Sequence, residues 1–286
     1  MRQQGSKQFI IKETVAPGIS GTVCDFLAAR SGLSKSKVKD AMNKGAVWVR
    51  KRKGGPKRLR RATAPLTAGD LLEFHYDEKL LSRVPPEAKC LNDQGQYSVW
   101  YKPAGLMAQG TPYGDHCSLL RQAELHLSPP REVFLVHRLD REASGLMLLA
   151  HSGEAAARLS ELFRLNRIMK KYRVEVRGYI GERGRRGVID QPLDGKPSLT
   201  EYEVEASDPE SATSIALVII RTGRLHQIRR HFDMIGHPVM GDPKYGTGNK
   251  NTKGMQLVAF SLSFRCPFRD REVEFTLPPG LSEWPG

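Results

Sequence analysis

A chain of 286 residues with 39% hydrophobic side chains can bury a core of its own, which excludes wholesale disorder. Its 45 lysines and arginines outnumber its 31 acids by 14, a field that attracts polyanions and points to nucleic acid as the partner. The opening MRQQGSKQFI lacks the apolar core of a signal peptide, and the longest apolar stretch, Ile215–Ile220, is far too short to span a bilayer, so a soluble, cytoplasmic protein with no membrane partner is expected.

In chain order, residues 12–77 read as a small basic α/β module. Thr22 precedes an amphipathic stretch carrying Val23, Phe26 and Leu27, and Gly32 ends it. Ser34 is placed to cap a second helix through Val38, Ala41 and Met42, with Gly45 just past its end. A strand over Ala46–Val49 follows. Between Arg50 and Arg61 come eight basic residues and no acid: Arg50, Lys51, Arg52, Lys53, Lys57, Arg58, Arg60 and Arg61. Gly54, Gly55 and Pro56 interrupt this run, which reads as an exposed loop able to lie along phosphates. Gly69-Asp70 then leads into a strand over Leu71–Tyr76. Residues 78–92, with Pro85-Pro86, read as a linker.

Residues 93–286 read as one α+β domain, a mixed, mostly antiparallel sheet with flanking helices. Tyr172, Val174 and Val176 alternate with Arg173, Glu175 and Arg177, and Val258, Phe260, Leu262 and Phe264 repeat the pattern. Thr213–Ile220 is apolar enough for a central strand. A helix after Ser152 buries Ala156, Leu159 and Phe163; another near 225–235 is expected to turn Leu225, Ile228, Phe232 and Ile235 inward and to end at Gly236. Cys24, Cys90, Cys117 and Cys266 have no zinc or redox spacing and read as reduced thiols. His226 and His231 are poorly spaced for a shared helical metal site, so no metal is expected.

Two segments concentrate chemistry. In VHRLDREASGLMLLA (Val136–Ala150), a polar turn with His137, Arg138, Asp140, Arg141, Glu142 and Ser144 abuts a buried strand. Unpaired charge beside a core is costly, so such a turn either closes local ion pairs or presents a carboxylate to a cleft. In TGRLHQIRRHFDMIGHPVMGDPKYG (Thr222–Gly246), a helix offers His226, Arg229, Arg230 and Asp233 on its polar side. An arginine from it could pair with the carboxylate of the turn, keeping it charged and oriented. Spacing alone does not bring the two segments together. Asp242, in Gly-Asp-Pro, reads as a turn or cap residue, Lys102-Pro103 as shaping a turn, and His137 as a brace. Trp48 and Trp100 read as packing residues.

These segments resemble the motifs of the RluA-type RNA pseudouridine synthases. HRLDREASGL is similar to the pattern H-R-L-D-x-x-T/S-S-G-L, and GRLHQIRRHFDMIGHPVMGD to G-R-x-H-Q-I/L-R-x-H followed by G-x-P-x-x-G-D. WYKPAGLMAQG resembles the K-P-x-G motif and KKYRVEVRG the K-x-Y strand, in the family's order over about residues 95–286. Residues from about 20 to 77 resemble the small RNA-binding module named after a ribosomal protein of the small subunit, through Ser34, Ser36, Val38, Gly45, Val47, Val49, Gly69 and Asp70; the basic insert after Arg50 departs from that pattern.

The resemblance implies a central catalytic cleft and isomerisation of uridine in RNA without cofactor or metal. Asp140 then matches the nucleophile, with attack on the sugar and a glycal route both left open by the sequence, Tyr172 the tyrosine that stacks on the flipped base and assists proton removal from carbon 5, and Arg229 the arginine that pairs with the aspartate. Arg138 matches the arginine that opens the RNA. Arg224, His226 and Lys35 join the basic loop as candidate RNA contacts. Ala143 departs from the threonine or serine of the turn. The expected substrate is ribosomal RNA of the large subunit ahead of transfer RNA, acted on by a monomer. The alternatives left open are a non-catalytic RNA-binding or ribosome-associated factor and a two-carboxylate glycosidase.

Overall fold

The computed structural model describes residues 6–281. The chain divides into two compact units, one formed by the residues up to Pro85 together with Gln109–Gln122, the other by Pro86–Ala108 and Ala123 onward.

The first unit holds β1 (Gln8–Thr14), α1 (Val23–Ser31), α2 (Lys35–Asn43), β2 (Val47–Arg50), β3 (Lys57–Arg58), β4 (Leu71–Asp77) and the helical turn α3 (Glu78–Leu81). Its strands form an antiparallel sheet in the order β1-β4-β2-β3. Both longer helices start where side-chain oxygens accept free amides: Thr22 from the N–H of Asp25, Ser34 from that of Lys37. Gly32 closes α1 in the left-handed conformation. Val23, Leu27, Val38, Ala41 and Met42 bury against Val47, Leu72 and Phe74 of the sheet. The apolar face of two short helices thus needs the sheet to be stable.

Within the basic segment, Arg50 through Lys57 are exposed, but the C-terminal end folds back as β3. Arg58 lies 4.2 Å over the Trp48 ring with its Nε 3.0 Å from Asp115, and Arg60 also pairs with Asp115. The Asp115 N–H donates to the Lys44 carbonyl and the Trp48 indole to that of Pro112, so Gln109–Gln122, which runs into helix α4 (Leu119–His126), is stitched into this unit.

The second unit is built on β5 (Lys89–Asp93), β6 (Tyr97–Lys102), β7 (Phe134–Leu135), β8 (Ser144–Ala150), β9 (Met169–Arg177), β10 (Arg186–Asp190), β11 (Leu199–Asp208), β12 (Thr213–Ile220), β13 (Leu257–Arg265) and β14 (Glu272–Thr276). The sheet runs β10-β11-β12-β9-β13-β8-β6-β5, with β14 on β13 and β7 on β8. Its pairs are antiparallel except β13 with β8, so it is mixed and mostly antiparallel, with α5 (Gly153–Arg164) and α6 (Gln227–Met234) beside it. Every residue of β8 is buried, as expected of a strand covered on both faces. At Gly145 (φ +128°) a Cβ would lie 2.3 Å from the Ala259 carbonyl oxygen, so only glycine lets β8 enter against β13 here.

Helix α6 corrects the sequence expectation. Ile228 and Phe232 are buried, but Leu225 and Ile235 are 48% and 38% exposed. The helix begins only at Gln227, and its buried face is completed by polar Gln227, Arg229 and His231. The four cysteines are free thiols. Among the described residues no helix is long and apolar enough to cross a membrane, and no cluster of His, Cys, Asp and Glu could hold a metal ion.

Candidate active site

A cleft of about 520 Å³ opens in the second unit where the turn before β8, strand β9, the end of β12 and the start of α6 converge. Asp140, Arg138, Tyr172, Arg224, His226 and Arg229 all line it, so the two chemistry-bearing segments do meet.

The turn is held from below. Lys102, at the end of β6, is wholly buried, and its ammonium donates to the carbonyls of Ala143 (2.6 Å), Leu106 (2.8 Å), Pro103 (3.1 Å) and Arg141 (3.3 Å). Two of these carbonyls belong to the turn that carries Asp140, so Lys102 shapes that turn and does not reach the cleft. Burial pushes its ammonium down to about 7, against the opposing pull of Asp140 and Glu142. The backbone closes the turn itself, Ala143 N–H to Asp140 carbonyl at 3.2 Å, and the buried Ala143 side chain packs with Tyr172 and Ala259 in the core. Alanine supplies that packing surface without a hydroxyl. His137 accepts the Leu148 N–H at 2.9 Å and stacks on Phe163, a brace with its Nε2 unprotonated. Burial, and then the charge of Lys170, push its imidazole down to about 3.

Arg229 joins the two segments. Its Nη1 donates to Asp140 Oδ2 at 2.7 Å, while Nε and Nη2 make a two-pronged pair with Asp242 at 2.6 and 2.8 Å. The guanidinium is 2% exposed and Asp242 is fully buried. Burial alone would lower the arginine, but bonds to Asp242 and Asp140 outweigh it and raise it; it is a fixed cation. For Asp242, burial would raise the carboxyl, yet Arg229 and the N–H groups of Lys244 and Tyr245 hold it below the usual range. Sequence reasoning placed Asp242 as a turn residue and missed this second role. The turn depends on Gly241 (φ +72°), where a Cβ would fall 1.8 Å from the Gly254 carbonyl oxygen.

His226 sits in the left-handed region (φ +52°), rare for a side-chain-bearing residue, immediately before α6. Its Nδ1 is 3.0 Å from the Tyr245 hydroxyl and its Nε2 3.6 Å from Asp140 Oδ1. Tyr172 is buried in the sheet floor; burial, then the charge of Asp140, push its phenol up, so it is neutral. Arg224 donates to the Pro197 carbonyl. The remaining candidates belong to the first unit, where Lys35 pairs with Asp25 at 2.6 Å and Arg61 donates to Thr63. Trp100 is fully buried, its indole donating to Ser98, and His231 is bonded to Thr200 and Gln191, both structural roles.

The RNA pseudouridylate synthase family matches residues 96–234, which contain every residue lining the cleft except Leu257; Asp242 and Tyr245, the partners of Arg229 and His226, lie beyond the matched segment. An uncharacterized RNA pseudouridine synthase of Aquifex aeolicus is 28% identical over 285 residues, 88% of each chain. The dual-specificity RNA pseudouridine synthase RluA of Pasteurella multocida is 32% identical over 226 residues, 71% of this chain and 99% of that one. Among solved structures, human RNA pseudouridylate synthase domain containing 1 superposes with a TM-score of 0.56 at 25% identity, covering 67% of this chain and 83% of its own.

Proposed function

The chain belongs to the RNA pseudouridine synthase family and is an isomerase acting on RNA, and from that premise we propose that Asp140 is its nucleophile, acting on a uridine flipped into the cleft. The observation that carries this reading is the carboxylate at the cleft mouth, one oxygen fixed by Arg229 and the other turned toward His226.

The reaction breaks the N1–C1′ bond, turns the base and forms C5–C1′; the proton lost from C5 balances one gained at N1. A held carboxylate, a cation to orient it and an aromatic surface suffice for this. Tyr172 provides the stacking surface. As a neutral phenol beside a negative carboxylate it is no base in the resting enzyme. Once Asp140 is bonded to the sugar its charge is gone, and with it one of the two causes that hold the Tyr172 proton, which fits a role in removing the C5 proton. Arg138 and Arg224 at the rim fit the opening of the RNA that flipping requires.

The first unit is proposed as the RNA-docking module resembling that of a small-subunit ribosomal protein, with the exposed segment Arg50–Lys57 as its phosphate contact. Arg58 and Arg60 serve the fold as well, through Asp115. Replacing Lys51, Arg52 and Lys53 by serine is expected to reduce the slope of log affinity against log salt by about 2–3. An unchanged slope would remove the segment from the RNA interface.

Ribosomal RNA of the large subunit is the favoured substrate, with transfer RNA second; the Pasteurella relative is described as dual-specificity. A transcriptome-wide pseudouridine map of cells with and without the gene tests both points. One or a few positions are expected to vanish with the gene and return with wild-type protein. Positions confined to transfer RNA would reverse the order of substrates, and a map unchanged by the deletion would count against the proposed cellular substrate.

A further inference from the structure

Strand β9 places two side chains on the cleft side two residues apart, Tyr172 and Lys170. Tyr172 has a role in the reading above; Lys170 has none. Its side chain lines the cleft and the residue is only 7% exposed. Among the described residues the one hydrogen bond of its side chain is a long one, 3.4 Å from Nζ to the Thr222 carbonyl. Its register partners across the sheet, Ile220 on β12 and Leu262 on β13, are apolar. The nearby imidazole of His137 is neutral and offers no countercharge. Burial pushes the ammonium down to about 8, and no neighbouring carboxylate offsets it. Lys102 shows what a purely structural buried lysine looks like here: four carbonyls around the nitrogen. Lys170 is instead a desolvated cation with most of its donor capacity unused, facing an open cleft also lined by Arg138, Arg164 and Asn166.

We propose that Lys170 is a binding residue of the active site, whose ammonium takes a phosphate oxygen flanking the flipped nucleotide. This rests on the reading that a nucleotide enters the cleft. A phosphate rather than a base carbonyl is assigned because the uncompensated charge calls for a partner that is anionic before any bond has broken. Gly223 adjoins the site: a Cβ there would sit 3.8 Å from Lys170 Nζ, an ordinary contact distance, so this backbone lies beside the nitrogen.

The test uses the full chain carrying Asp140→Asn, so that bound RNA stays unreacted, and a short RNA holding the uridine named by the pseudouridine map. Three forms of it are compared: all-phosphate, and with a neutral methylphosphonate on either side of that uridine. Equilibrium affinity is expected to fall about tenfold or more at one of the two neutral linkages. Lys170→Met should bind the natural RNA about as weakly, with no further loss at that linkage. Lys170→Met should also melt no lower than its parent, since it removes an unpaired buried charge. Independent, multiplying losses, unchanged affinity in Lys170→Met, or a lowered melting temperature would each overturn the assignment. Because these arms read binding and not turnover, they are separate from the nucleophile reading. That reading fails instead if Asp140→Asn still converts the RNA.

Discussion

Asp140→Asn is expected to lower kcat by on the order of 10⁴ or more while leaving RNA affinity close to that of the wild-type protein. Asparagine keeps the size of the side chain and an oxygen that can accept the 2.7 Å bond from Arg229, so the cleft should keep its shape. What is lost is the negative oxygen proposed to bond to the sugar, and among the described residues no other acid lines the cleft to replace it: Asp242 is fully buried, with its oxygens committed to Arg229 and the N–H groups of Lys244 and Tyr245. Single-turnover conversion of a uridine-containing RNA, with affinity measured in parallel, separates the two effects. A loss of only tenfold, or one confined to binding, would reduce Asp140 to a positioning residue and shift the search for the nucleophile elsewhere.

What could be read in the sequence follows the range of the interactions. Thr22, Ser34 and Gly32 were legible because a cap bonds within three or four residues of itself. The alternation of Tyr172, Val174 and Val176 was legible because a strand with one buried face writes its period into the chain. The edge strands β1, β5, β10 and β14 were not read; their partly exposed faces leave only a weak hydrophobic signal. Helix α6 misled for a related reason. Its apolar spacing was extended through Leu225, where the chain is still in a turn bonded to the Gln227 side chain. Much of its buried face is polar, satisfied by Thr200 and Gln191 on a distant part of the chain and by Asp242 beyond the end of the helix. Motif resemblance located Asp140 and Arg229, but only the fold reveals that Arg229 is shared between two acids, and that Lys102 grips the turn by its carbonyls.

That sharing gives the largest stability effect to be expected in the cleft. Asp242→Ala is expected to cost about 3–5 kcal/mol, because it leaves a guanidinium that is 2% exposed with only Asp140 as counterion. It also deprives the Lys244 and Tyr245 N–H groups of their acceptor. Catalysis should suffer too. Freed from Asp242, Arg229 no longer approaches Asp140 from one fixed direction, so kcat should fall more than RNA affinity. Urea unfolding of Asp242→Ala beside the double variant Arg229→Met/Asp242→Leu tells the two causes apart. Removing both charges into an apolar pair should recover most of the stability, since desolvation of the ions is relieved along with their attraction, while activity stays low. If the double variant is as unstable as the single one, the turn hydrogen bonds and not the arginine are what Asp242 contributes. Asp242→Asn then provides the third comparison: it keeps an acceptor for the turn but gives up the charge, so it should be nearly as unstable as Asp242→Ala if the uncompensated guanidinium is the cause, and should recover if the turn hydrogen bonds are.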